Sequence, residues 1–306
     1  MKQSIATFLI LLVISSCGSS DKKDKSDERS VNSRTLAVTN YPLYFFTQKI
    51  AGDEVDILFP VPQDEDPAFF EPGAEIVSMY QAAEIIFTNG AGYESWVNKV
   101  ALSQRKIVNT TSNVSEKYIN EKSMSHSHGP DGEHDHAEIA FTTWLDQSIA
   151  LDQAKLIYET LKKSYPEISQ EFDNNFKELE SGIIKLDDQM DNLFSLYRGK
   201  TLYASHPVYQ YLGKRYGINI TSEHWEPGQK VEQDMVKTFI ESLGVNDTKI
   251  MLWEGEPHPE TRLLLEEAGV KVVLFIPCGN RPGQGDYLSV MNQNIENLAS
   301  VDKSIP

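Results

Sequence analysis

Between residues 166 and 198, apolar side chains recur at steps of three and four: Ile168, Phe172, Phe176, Leu179, Ile183, Leu186, Met190, Leu193 and Tyr197. That spacing predicts one continuous face of an α-helix. The intervening positions are mostly Glu, Asp, Asn, Lys and Gln, as a solvent face requires. Pro166 suits the first turn and Gly199 the stop. About 33 residues at roughly 1.5 Å each make a rod of roughly 50 Å. No second run of this kind offers a coiled-coil partner, so the rod reads as a spine between two lobes.

Both flanks of the spine alternate short apolar runs with amphipathic ones. Before it, strands are expected over 35–39, 55–59, 84–88 and 106–110, with helices over 42–51, 73–82 and 93–102. After it, strands are expected over 200–205, 218–222, 249–253 and 270–276, with helices over 208–216, 232–243, 259–268 and 287–298. Such alternation means parallel sheets covered by helices on both faces. The expected architecture is therefore α/β: two parallel-sheet lobes, 35–165 and 199–306, joined by one long rigid helix.

Ligands of parallel sheets sit beyond the carboxyl ends of the strands. In the first lobe those ends carry Asn40, Tyr41, Asn89, Thr110 and a single charged cluster, Asp64, Glu65 and Asp66. In the second they carry His206, His224, Glu254 and the turn from Ile276 to Cys278. Two imidazoles, a carboxylate and a thiol form a ligand pool for a metal ion. Residues 111–140 break the alternation. His126, His128, His134 and His136 fall there within eleven residues, interleaved with carboxylates and turn formers. Imidazole and carboxylate donors suit zinc and its neighbours, so 123–138 reads as a mobile metal-binding loop.

Charge and cysteine usage narrow the partners. A net charge of −17 over 306 residues argues against nucleic acid as a working partner. Cys17 and Cys278 are the only cysteines, so no disulfide framework exists. The chain opens with Lys2 and an apolar run over 5–14, ending in Ile14-Ser15-Ser16-Cys17. That run is too short to span a bilayer and reads as a signal peptide over 1–17, with a bacterial lipobox whose Cys17 thiol takes the lipid. Residues 18–34, without an apolar pattern, read as a flexible tether. A lipid-anchored protein on the periplasmic or cell-surface side of a bacterial membrane is expected. No Gly-x-Ser-x-Gly elbow, phosphate loop or His-Glu-x-x-His helix occurs, so an enzyme is not expected.

Several motifs together resemble one family. They are Asp66-Pro67 with Phe70-Glu71-Pro72, the run Ala83 to Trp96, Trp144-Leu145-Asp146, Ser205-His206-Pro207, Lys214-Arg215-Tyr216-Gly217 and Gly285-Asp286-Tyr287. From Thr35 onward the chain resembles the zinc and manganese solute-binding lipoproteins of ABC importers, of the ZnuA type. The resemblance implies a divalent metal, zinc foremost with manganese or copper as alternatives, clamped in the cleft and handed to an ABC permease and its ATPase. It also implies four ligand positions, and three of them depart: Ala68, Thr142 and Ile276 stand where donors are usual, and His206 alone is retained. One imidazole does not hold zinc against water. Three readings follow: a site moved within the cleft, joining His206 to His224, Glu254, Cys278 or Asp66; a cleft for a chelate or non-metal ligand; or a scavenger working through the His-rich loop. An adhesin-like lipoprotein is a further alternative.

Overall fold

The structure is a computed structural model and describes residues 34–120, 126–127, 133–134, 139–244 and 247–302. The expected signal peptide with Cys17, nearly all of the expected tether, and His128 and His136 lie outside the described residues. The first sheet contains β1 (Thr35–Val38), β2 (Asp56–Leu58), β3 (Ile85–Thr88) and β4 (Ile107–Asn109), all parallel and ordered β2-β1-β3-β4. Helices α1 (Tyr41–Ala51) and α2 (Ala74–Ala82) connect its strands. The helix expected over 93–102 is instead a single 3-10 turn, Ser95–Asn98. Glu94, just before that turn, points inward and draws its carboxylate bonds from the backbone of Asn89 and Gly90, which bends the chain away from a regular helix.

Two two-residue strands follow, β5 (His126–Ser127) and β6 (Glu133–His134), paired antiparallel with His126 opposite His134. Next comes α3 (Gln147–Ser164), a helix the apolar pattern did not disclose. Its buried face is Ile149, Ala150, Gln153, Ala154, Ile157 and Leu161; small and polar residues within it mute the periodicity. Asp146 caps α3 by accepting hydrogen bonds from the Ser148 and Ile149 amides.

The spine is α4 (Ser169–Phe194), with a 3-10 turn at each end, Pro166–Ile168 and Ser195–Tyr197. Phe172, Phe176, Leu179, Ile183, Leu186, Met190 and Leu193 are all buried along it. It packs on α1 and α3 of the first lobe and on α5 (Gln210–Tyr216) and α8 (Tyr287–Asp302) of the second. One apolar core therefore runs through both lobes along this face.

The second sheet contains β7 (Thr201–Ala204), β8 (Asn219–Ser222), β9 (Ile250–Trp253) and β10 (Lys271–Leu274), again all parallel, ordered β10-β9-β7-β8. Helices α6 (Gln233–Ser242) and α7 (Pro259–Glu267) complete the crossovers. In each sheet the chain leaves the first strand to one side and returns on the other. The switch points fall between β1 and β3 and between β7 and β9, where crevices open.

Candidate metal centre

Three neighbouring strands of the second sheet deliver the site. His206 follows β7, whose end is held as the Ser205 amide donates to the Leu252 carbonyl at 2.9 Å. Glu254 is the first residue past β9. Glu226 follows β8 after a short segment, fixed where the Trp225 amide donates to the Ser205 carbonyl at 2.7 Å and the Trp225 ring packs on Phe239 and Trp253. His206 Nε2 lies 3.3 Å from Glu226 Oε1, and His206 Nδ1 lies 3.4 Å from Glu254 Oε1. One donor atom from each of the three residues fits within 4.8 Å of the others, the spread a single ion spans.

Burial disfavours the charged ring of His206. The hydrogen-bonding carboxylate of Glu254, with the charges of Glu254, Glu226 and Asp66, outweighs that and raises the imidazole above its ordinary value. Asp66 opens to solvent, yet protein encloses much of its surroundings. That enclosure raises its carboxyl and the Ala68 amide, donating at 2.9 Å, opposes the rise; Glu254 and Glu226 add to it and His206 subtracts. Asp66 thus brings a first-lobe carboxyl into the electrostatics of His206, Glu226 and Glu254.

The remaining expected residues have separate places. The His224 ring stands edge-on to His206 with centroids 6.0 Å apart, and His224 is exposed. Cys278 is buried at 3% exposure in the common core, with left-handed backbone at φ +63°. Burial first, and the Asp286 carboxylate second, push its thiol up to about 12. It is not part of the three-residue group among the described residues, because the chain after β10 turns under α1, where the Tyr41 amide donates to the Gly279 carbonyl at 2.9 Å. Glu226 was not among the expected ligands. Its signal was its position, two residues after His224 at the end of a strand next to β7.

The three departed positions are structurally occupied. Thr142, buried, donates its hydroxyl to the Val208 carbonyl at 2.6 Å and so ties the first lobe to the second. Ala68 is buried and Ile276 is partly exposed, its amide donating to Asn294 Oδ1 at 2.8 Å. The strand ends of the first sheet serve each other. Asn40 caps α1, Asn89 donates to the Phe141 carbonyl at 3.0 Å, and Gln153 of α3 donates to Asn89 Oδ1 and Thr110 Oγ1. Gly90 is needed there, since with φ at +80° an added Cβ would meet Asn109 Oδ1 at 2.1 Å.

Among known proteins, the chain is 26% identical over 287 residues to the zinc-binding protein AdcA of Streptococcus pyogenes serotype M3, covering 86% of this chain and 55% of that protein. It is 26% identical over 312 residues to the manganese ABC transporter substrate-binding lipoprotein PsaA of Streptococcus mitis, covering 95% of each. The chain spans about half the length of the AdcA relatives it matches. The zinc-bound ZnuA-like domain of Streptococcus pneumoniae AdcA superposes with a TM-score of 0.74 at 22% identity, over 88% of this chain and 98% of that one. The solute-binding protein FpvC of Pseudomonas aeruginosa, in complex with manganese, does so at 0.71 and 19% identity, over 90% and 100%. These likenesses establish the fold. The sequence profile of the zinc-uptake complex component A, periplasmic, matches residues 36–301, and the chain belongs to that family.

Proposed function

We propose that this protein captures a divalent metal ion in the crevice lined by His206, Glu226 and Glu254 and delivers it to an ABC permease and its ATPase, without a chemical step. The observation that carries the proposal is the convergence of an imidazole and two carboxylates within 4.8 Å at the carboxyl ends of three adjacent strands. Family membership supports the transport role, and relatives named for zinc and for manganese support those two ions as cargo. The site is a moved one. Donors from the second lobe replace those that Ala68, Thr142 and Ile276 do not provide, with Asp66 adding charge from the first lobe.

In this reading Cys17 carries the lipid and residues 18–34 tether the protein to the outer face of a bacterial membrane. The segment around His126, His128, His134 and His136 raises the metal concentration near the crevice. His206→Ala lowers zinc affinity at least about tenfold, a loss of about 1.4 kcal/mol or more, while circular dichroism stays unchanged. Titration calorimetry on the untagged protein checks it. Deleting 123–138 lowers the stoichiometry and leaves the tightest site. If His206→Ala binds as tightly as the wild type, or the deletion removes all binding, the crevice is not the site.

A further inference from the structure

The two carboxylates lie at opposite nitrogens of one ring: Glu226 Oε1 at Nε2 and Glu254 Oε1 at Nδ1. A neutral imidazole offers one lone pair and one N–H. An ion on either nitrogen therefore leaves the other carrying a proton, and the carboxylate on that side becomes its acceptor. The arrangement forces a division of labour, one carboxylate as ligand and the other as the group that fixes the ring. Resting on the capture site proposed above, we infer that the ion binds at His206 Nε2 together with Glu226, and that Glu254 is a positioning residue that accepts the Nδ1–H.

Spacing alone admits either side. Two donors each about 2.1 Å from one ion stand about 3.0–3.4 Å apart at angles of roughly 90–109°, which both pairs satisfy. Their surroundings separate them. Glu254 is the first residue past β9, an interior strand, and its side chain is 19% exposed. Glu226 lies on a connecting segment, and its side chain is 42% exposed. An incoming ion must shed water and reach its ligands from solvent, which the Glu226 side allows. A carboxylate on a rigid strand end, enclosed by protein, is placed to hold a ring and not to follow an ion.

The test compares Glu226→Gln, Glu254→Gln and His206→Ala in the full chain. Zinc affinity is measured by competition with a chromophoric chelator, and visible spectra are recorded with Co2+ as the probe. Each Co2+ spectrum is taken as a difference from His206→Ala, which removes the contribution of the other histidines. Glu254→Gln is expected to weaken zinc about 10–100-fold and leave the Co2+ absorption envelope in place, since the amide oxygen still accepts from Nδ1–H. Glu226→Gln is expected to change that envelope and weaken zinc more. The reverse pattern, or equal spectral change in both, overturns the assignment while the capture site stands. A His206→Ala protein that binds as the wild type overturns the capture site itself. Should Glu226→Gln not fold, Glu226→Asp keeps the charge and is expected to shift the Co2+ envelope; an envelope unchanged in it overturns the assignment.

Discussion

Glu94 offers a direct check on how the first lobe is held together. Its carboxylate is buried; Oε1 accepts from Thr39 Oγ1 at 2.5 Å and from the Asn89 amide at 2.5 Å, and Oε2 accepts from the Gly90 amide at 3.2 Å. Burial raises its pKa from 4.5 to about 7, and these hydrogen bonds restrain the rise. The folded state therefore keeps a proton that the unfolded chain releases near pH 4.5. Stability from this group is full below that pH and is lost as pH rises through about 7. The interval from 4.5 to about 7 corresponds to about 3 kcal/mol between the two ends of the window. Glu94→Gln does not titrate, so it removes this pH dependence whatever other groups do. The assay is urea denaturation of both proteins from pH 4.5 to 8, read as the difference in unfolding free energy. The wild type is expected to lose stability relative to Glu94→Gln by about 3 kcal/mol across the range. A difference that stays flat, or rises with pH, refutes the account of Glu94 as a desolvated acid.

Two further outcomes follow from single contacts. Thr142→Val removes the hydroxyl that meets the Val208 carbonyl and leaves that acceptor unpaired between the lobes, for an expected loss of about 1–3 kcal/mol in denaturant titration. The Cys278 thiol, buried and raised to about 12, is expected not to react with a thiol reagent at pH 8 until denaturant is added; rapid labelling of native protein would show that it is accessible.

The sequence by itself determined the spine, both parallel sheets and the strand edge at which His206 and Glu254 stand. Those features are local: a repeat of three and four from Ile168 to Tyr197, and β-rich runs ending in polar residues, follow from helix and strand geometry alone. His206 and Glu254 were legible because strand polarity sends both to the same edge. Helix α3 was not, because Ala150, Gln153 and Ala154 fill its inner face and carry little hydrophobic contrast. Only the tertiary structure separated the donors. Strand order set β7 between β8 and β9, which brought Glu226 and Glu254 to the two nitrogens of one imidazole. The same packing drew Cys278 into the core and spent Thr142 on a carbonyl of the opposite lobe. Which residues share a strand edge is written in short-range pattern. Which of them meet within a few ångströms depends on the order of the strands and on where loops turn, and both are settled by long-range packing.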